Sequence, residues 1–172
     1  MAITFLRHAS LPKRYHKRYN GWRDIPIEPQ TIPKEAYFFL ERLSFDKVYS
    51  SNLQRCTQTL ERVGICSYQT DARLREVAFK PWVEGRSFEE ISQRISYHPS
   101  LLESEKRWHR FICQESLFQF EKRLNDFLAT LDPTKEILIC SHGGSIKKML
   151  SLLGYDGISL DYLEWIRIEN GI

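Results

Sequence analysis

Two histidines in this sequence each follow a short apolar run, at the point where a buried strand would end. His8 comes after the run 3–6 and Arg7, and His142 comes just after the run 136–140. Ligands of open α/β sheets lie at the carboxyl ends of the strands, so a cation and an imidazole there are candidates for a site. Arginine offers a planar fork of donors to a phosphate or a carboxylate, and a neutral imidazole can attack such an anion. The first segment alone fits a polar pair that closes a strand better than it fits a site, and the rest of the chain reverses that preference.

A third cation follows the next predicted strand, Lys47-Val48-Tyr49. Ser50-Ser51-Asn52 offer several N-caps for a helix from about Leu53 to Val63. Arg55 then falls in the first helical turn, where backbone N–H groups and the helix dipole already favour an anion. The alternative is a surface arginine that pairs elsewhere.

The two histidine-ending strands are expected to be neighbours in one sheet. In that case the rings of His8 and His142 face one another above one sheet edge, and Arg7 and Arg55 complete a pocket for a dianion. The glycine at Gly143, followed by a second one, would let the backbone approach that ligand at the head of a helix.

Strand, helix and strand alternate along the chain, which predicts right-handed crossovers in a mainly parallel sheet. The other predicted elements are a long loop over 9–32, a helix from Pro33, a strand over 66–70, a helix capped by Ser87 with Glu90, a helical excursion over 97–113 that covers the site, a helix from Glu115, a helix that ends at Gly154 and a strand over 162–168.

Length and composition set the broad class. The 172 residues fit one domain over 1–172, and 42% hydrophobic and 27% charged residues are ordinary for a globular protein. A net charge of +3 disfavours a dedicated nucleic-acid binder. Cys56, Cys66, Cys113 and Cys140 show no metal-ligand spacing, and no apolar run approaches the roughly 20 residues of a membrane span. We therefore expect a cytoplasmic protein with reduced thiols and no membrane partner.

The loop segment Lys13 to Arg23 interleaves basic and aromatic residues. Such a mixture could hold an anion and stack on a planar group, in a small-molecule pocket or on RNA. A solvated loop whose aromatic rings fold back on the core is an equally good interpretation.

Five motifs, taken together, resemble the histidine phosphatase superfamily in its phosphoglycerate mutase-like branch. In chain order they are Arg7-His8-Ala9, Asn20-Gly21-Trp22-Arg23-Asp24-Ile25-Pro26, the run 50–59, Leu74-Arg75-Glu76 with Phe79, Trp82, Glu84 and Gly85, and Ser141-His142-Gly143-Gly144. The resemblance implies a three-layer α/β/α sandwich with a mainly parallel central sheet. It also implies a histidine acid-type phosphatase, a phosphoric monoester hydrolase that needs no cofactor or metal and whose partner is a small-molecule phosphomonoester.

The resemblance assigns a role to each matching residue. His8 would be the nucleophile that forms a phosphohistidine, and Arg7, Arg55 and His142 would bind the phosphoryl oxygens. Asn20 and Gly21 would line the pocket together with Gly143. Glu76 would be the proton donor to the leaving group, and a bound phosphate dianion would favour its protonated form.

Three positions depart from the family pattern: Ala9 and Ser10 stand where glycine and then glutamate or glutamine are usual, and Arg14 replaces an asparagine. Because these positions belong to the pocket wall, they affect the expected substrate and the rate of turnover more than the expected fold. Mutases of the family resemble one another in an Arg-His-Tyr after the glutamate, where this chain has Val77-Ala78-Phe79, so hydrolysis is favoured over phosphoryl shuttling.

The rings of Trp22, Phe79 and Trp82 suggest a bulky or ring-bearing leaving group, as in the resembling α-ribazole phosphatases. The natural substrate and the oligomeric state stay open. So does the question of whether 97–113 moves as a lid.

Two other functions use the same residues. A metal site of His8, Glu76 and His142 is possible by ligand type, but two adjacent arginines would repel the cation. A member without activity could instead bind RNA or a phosphorylated partner. Binding alone requires neither the histidine nor the acid, which favours catalysis.

Overall fold

A computed structural model describes residues 2–29, 32–33, 35 and 37–169 of the chain, and its centre is a five-stranded sheet. The strands are β1 (Ala2–Arg7), β2 (Lys47–Ser51), β3 (Gln69–Asp71), β4 (Glu136–Ser141) and β5 (Trp165–Glu169), in the spatial order β3-β2-β4-β1-β5. The first four strands run parallel, and β5 pairs antiparallel with β1. The predicted mainly parallel sheet is therefore confirmed.

Five α-helices connect and cover the strands in the described part of the chain. They are α1 (Gln54–Arg62), α2 (Phe88–Ser92), α3 (Glu105–Ile112), α4 (Leu117–Leu128) and α5 (Gly143–Leu152). Short 3-10 helices lie at Lys13–Tyr15, Phe38–Arg42, Ala72–Leu74 and Pro99–Glu103. Ser87 and Ser116 both close capping boxes, which explains why α2 and α4 begin where they do.

The central strands β1 and β4 bury apolar side chains on both faces. Ile3 and Phe5 belong to a large cluster with residues of α4 and α5, among them Leu124 and Ile146. Leu6 points to the opposite cluster, with residues of α1. This alternation places helices on both faces of the sheet and produces the expected three-layer α/β/α sandwich.

Three predicted boundaries were wrong. The strand before Ala72 is Gln69–Asp71, shorter than 66–70 and shifted towards the carboxyl end, because only these residues pair with β2. The last strand begins at Trp165, since residues 161–164 form a turn in which Leu163 has φ 63°. The helix predicted from Pro33 is a 3-10 helix over Phe38–Arg42, while Lys34 and Ala36 lie outside the described residues.

The excursion predicted over 97–113 contains the 3-10 helix Pro99–Glu103 and helix α3. Trp108 of α3 packs at 6.3 Å, ring centre to ring centre, from Tyr19, which lies in the cleft described below. The excursion therefore borders the site. In the described ranges, no helix combines the length and the hydrophobicity needed to cross a bilayer.

Candidate active site

The two histidines meet above the carboxyl ends of β1 and β4. These strands are parallel neighbours whose register pairs Arg7 with Ser141, so the residue after each strand lies at the same sheet edge. The ring centres of His8 and His142 are 5.2 Å apart with an angle of 63° between the rings. The structure thus brings together the two residues on whose proximity the sequence argument depended.

His8 is held as a neutral imidazole with a defined tautomer. It is 4% exposed, and its Nδ1 donates a hydrogen bond of 2.7 Å to the carbonyl oxygen of Ala9. Burial, and after it the positive charge of Arg55, lowers the pKa of His8 well below its ordinary value. Because the Ala9 carbonyl can only accept, Nδ1 carries the proton and Nε2 keeps its lone pair.

Arg55 lies in the first turn of α1 and is 2% exposed. Its Nη2 and Nη1 donate to the carbonyl oxygens of Gly21 and Arg23, each at 2.8 Å, and its Nε donates to Nδ1 of His142 at 3.0 Å. Burial lowers the pKa of Arg55 from its ordinary value. The guanidinium therefore ties the loop of Gly21 to the second histidine, with its remaining N–H groups available to a ligand.

His142 contacts protein groups through both of its ring nitrogens, and its assignment as a ligand of the phosphoryl oxygens stays a prediction. Its Nδ1 accepts from Arg55, so its Nε2 carries the proton and donates to Oγ of Ser51 at 2.8 Å. Both ring nitrogens are engaged and the residue is 1% exposed. Burial, followed by the charge of Arg55, lowers the pKa of His142 well below its usual value. In this arrangement His142 orients Arg55 and does not reach the cleft.

Glu76 is positioned by the start of α5. Its Oε2 accepts from the backbone N–H of Gly144 at 3.0 Å, and its Oε1 accepts from the N–H of Val77 at 2.9 Å and from Oγ of Ser145 at 3.4 Å. A Cβ at position 144 would lie 2.5 Å from Oε1, which explains the glycine. The carboxylate is fixed without a salt bridge to a cleft arginine.

The loop residues Asn20 and Gly21 close one side of the cleft. Gly21 has φ 48°, and a Cβ there would come within 2.8 Å of both Phe79 and Glu84. Asn20 is fixed by a bond from Nδ2 to the carbonyl oxygen of Tyr15 at 2.7 Å. A side chain larger than glycine at position 21 would displace the carbonyl that accepts from Arg55.

The cleft between these groups has a volume of about 140 Å³. It is lined by eight predicted residues, Arg7, His8, Asn20, Gly21, Arg55, Glu76, Phe79 and Gly143, and by four others, Leu11, Arg18, Tyr19 and Tyr162. Sequence reasoning placed Tyr162 in the last strand and missed it as a site residue. The signal available was an aromatic ring just before that strand, which is too common to single out.

The aromatic wall is only partly the predicted one. Phe79 lines the cleft, with Tyr19 edge-on to it at 5.2 Å between ring centres. Trp82 does not line it: its ring packs on Phe111 at 5.1 Å, in the apolar cluster against which Tyr19 and Phe79 also pack. Trp22 is 42% exposed and donates from Nε1 to the carbonyl oxygen of Glu76. Tyr19 thus replaces Trp82 in the predicted set.

The positions that depart from the family pattern lie behind or outside the cleft. Ala9 is buried, and its N–H donates to Oγ1 of Thr59 at 2.8 Å. Ser10 contacts Nε2 of His16 at 3.1 Å. The Arg14 guanidinium lies 4.9 Å from the ring centre of Tyr15, with its side chain exposed. None of these side chains contacts the cleft surface.

The basic and aromatic loop contributes Arg18 and Tyr19 to the cleft, while most of its other basic side chains are exposed. Arg18 forms an ion pair of 2.8 Å with Glu90, and the guanidinium of Arg23 lies 5.4 Å from the ring centre of Tyr15. Among the residues that the structure describes, no group of three histidine, cysteine or acidic side chains could hold a metal ion.

Comparisons with known proteins agree on one family. The sequence profile of the histidine phosphatase superfamily (branch 1) matches residues 3–171. A candidate phosphoserine phosphatase of Hydrogenobacter thermophilus is 31% identical over 98% of this chain and 85% of its own length. A broad-specificity phosphatase of Saccharomyces cerevisiae is 26% identical over 98% of this chain and 71% of its own length.

Solved structures show the same fold. A candidate α-ribazole-5'-P phosphatase from Escherichia coli superposes with a TM-score of 0.80, covering 97% of this chain and 89% of its own, at 22% identity. A phosphoglycerate mutase from Thermus thermophilus superposes with a TM-score of 0.71, covering 98% and 93%, at 24% identity. The architecture is therefore phosphoglycerate mutase-like.

Proposed function

Since the chain belongs to branch 1 of the histidine phosphatase superfamily, we propose that it hydrolyses a small-molecule phosphomonoester through a phosphohistidine on His8. The observation that carries the proposal is the hydrogen bond between Nδ1 of the buried His8 and the carbonyl oxygen of Ala9. The Nδ1–H of His8 is committed to this carbonyl, and burial disfavours the imidazolium. Nε2 is left as a nucleophile in a cleft that two arginines make positive.

In the first step the lone pair of His8 Nε2 forms a bond to phosphorus, and the bond from phosphorus to the leaving oxygen breaks. The leaving oxygen takes the proton of Glu76 as it departs. Arg7 and Arg55 stabilise the negative charge of the transferring group, because their donors are fixed before the substrate arrives. No reorganisation is then needed as the charge shifts.

In the second step water attacks the phosphohistidine. The Glu76 carboxylate, left ionised by the first step, accepts the proton of that water, and the bond from phosphorus to Nε2 breaks. Inorganic phosphate leaves, and both His8 and Glu76 return to their starting states. The hydrogen bonds from Gly144 and Val77 keep the carboxylate in place through both steps.

The size of the cleft supports a substrate whose leaving group lies outside it. A volume of about 140 Å³ suits a phosphoryl group, and the rings of Tyr19 and Phe79 are among the residues that line the cleft. We therefore propose a ring-bearing leaving group, such as one resembling α-ribazole phosphate. Val77-Ala78-Phe79 in place of the mutase Arg-His-Tyr supports hydrolysis over transfer between two positions.

The test is release of phosphate from p-nitrophenyl phosphate at about pH 6, compared between the native protein and His8→Ala. We expect turnover by the native protein and none by His8→Ala. Equal rates, or no turnover by either, would favour the alternative function, a phosphate-, phosphoprotein- or RNA-binding module. Arg107→Ala, which removes an exposed charge that does not line the cleft, is the matched control.

A further inference from the structure

Tyr162 lies against the strand tip that carries the proposed nucleophile. Its ring centre is 4.3 Å from Cζ of Arg7, within the range of a cation–π interaction. The same ring is 5.5 Å from the ring of His8 and 5.7 Å from the ring of His16, centre to centre. A single side chain thus contacts both residues that β1 presents to the cleft.

Arg7 is held by packing and not by an acidic partner. Gly143 also lies against the guanidinium, because a Cβ at that position would come within 3.1 Å of Cζ of Arg7. Nη1 donates to the carbonyl oxygen of Leu160 at 2.6 Å, and Nε is buried without a hydrogen-bond partner. Among the ion pairs of the described residues, none involves Arg7.

This way of holding an arginine has a functional consequence. A carboxylate partner would fix the guanidinium but would also neutralise it and compete with a phosphoryl group for the same donors. An aromatic face restrains the cation through its quadrupole and leaves the donors at the edge of the guanidinium free. Arg7 therefore keeps its full charge for an anion in the cleft.

The backbone that carries Tyr162 is pinned to the same strand tip. Arg7 donates its N–H to the carbonyl oxygen of Glu164 at 3.0 Å, and Glu164 donates to that of Asp161 at 3.0 Å. Leu163 adopts φ 63°, a conformation that branched and bulky residues rarely take. A strained residue next to an active cleft points to a position that the surrounding structure enforces.

From this geometry we propose that Tyr162 is a positioning residue, whose ring holds the Arg7 guanidinium at the phosphoryl site. The proposal rests on the proposed function for its catalytic meaning. It adds that the aromatic ring, and not the tyrosine hydroxyl, does the positioning. The effect is on binding of the phosphoryl group in both ground state and transition state.

The experiment compares Tyr162→Leu with Tyr162→Phe and with the control Tyr155→Leu, a half-exposed tyrosine outside the cleft. Kinetics with p-nitrophenyl phosphate are paired with calorimetric binding of orthovanadate, which needs no turnover. We expect Tyr162→Leu to raise KM and the vanadate dissociation constant by about three- to thirtyfold, the range of a partly buried cation–π contact. Tyr162→Phe should recover most of that loss, and Tyr155→Leu should match the native protein.

A double-mutant cycle separates positioning from a general structural role. In an Arg7→Gln background, Tyr162→Leu should weaken vanadate binding by less than about twofold further, because its effect passes through Arg7. Additive losses would overturn the proposal, and so would a Tyr162→Leu protein that binds vanadate as the control does. If Tyr162→Leu does not fold, Tyr162→Met, whose flexible side chain can fill part of the space left by the ring, replaces it.

The two proposals fail separately. If the native protein turns over substrate and Tyr162→Leu changes neither KM nor vanadate binding, the positioning role is refuted and the phosphatase proposal is not affected. Vanadate binding that depends on Tyr162 only when Arg7 is present, in a protein without turnover, would support the positioning role and refute the phosphatase.

Discussion

Arg55 connects His142 to the loop of Gly21 that closes the cleft. The effect of replacing it can be calculated from these contacts. The guanidinium makes three hydrogen bonds, to the carbonyls of Gly21 and Arg23 and to the His142 ring. In Arg55→Ala the phosphoryl group loses a preorganised charged donor. We predict a fall in kcat/KM of about 10²–10³, or about 2.7–4 kcal/mol, with KM raised and kcat lowered together.

The same substitution lowers stability by a separate route. It leaves two carbonyl groups without their buried donor, at about 1–3 kcal/mol each, so the free energy of unfolding should fall by about 2–6 kcal/mol. Arg55→Lys keeps the charge but cannot reproduce the fork of three donors. It should therefore lie between the native protein and Arg55→Ala in both measurements.

Steady-state kinetics at temperatures well below the unfolding midpoint separate the two effects, with urea denaturation measured on the same preparations. Arg107→Ala, whose side chain is 61% exposed, serves as the charge-removal control and should change neither quantity appreciably. An unchanged kcat/KM in folded Arg55→Ala would mean that the reaction takes place elsewhere on the molecule.

Three further predictions concern Glu76, the aromatic wall and the buried histidines. Gly144→Ala should displace the Glu76 carboxylate and lower kcat by about tenfold or more for alkyl phosphates, with a smaller loss for p-nitrophenyl phosphate, whose leaving group needs less protonation; equal losses would contradict the acid role. Phe79→Leu should reduce the preference for ring-bearing over small aliphatic phosphates by about two- to tenfold in a substrate panel, and an unchanged ratio would remove Phe79 from recognition. The pKa values of His8 and His142 are lowered from 6.5 in the folded protein, so the unfolded chain binds more protons below that pH. The stabilisation that the two neutral histidines contribute should be fully present above about pH 6.5. Below that pH the free energy of unfolding should fall by at most about 2.7 kcal/mol per pH unit, and His142→Gln should halve that slope in thermal unfolding.

The meeting of His8 and His142 could be predicted because it follows from topology. Two buried apolar runs, each followed by a histidine, become adjacent parallel strands, and parallel strands end at the same edge. Arg55 was placed correctly in the first turn of α1, but the predicted N-caps 50–52 were wrong. The N-cap is Leu53, which makes no side-chain cap, and the N–H of Gln54 donates to Oδ1 of Asp24 at 2.7 Å.

The hydrogen-bond partners of those residues could not be predicted. His142 makes hydrogen bonds to Ser51 and Arg55 through its two ring nitrogens. These contacts depend on distances of a few ångströms between separate elements, which the spacing of residues along the chain does not determine. Tyr162 was assigned to the last strand, predicted over 162–168, but that strand begins at Trp165. Leu163 has a left-handed backbone conformation, which keeps residues 162–164 out of the strand, and no local residue preference predicts this conformation.

The most direct test of the account is the identity of the phosphorylated atom. The native protein, mixed with p-nitrophenyl phosphate and quenched in alkali, should carry one phosphoryl group, and peptide mass spectrometry should place it on His8, with the adduct absent from His8→Ala. Phosphorylation of any other residue, or a rapid burst of product without an adduct on His8, would contradict the account.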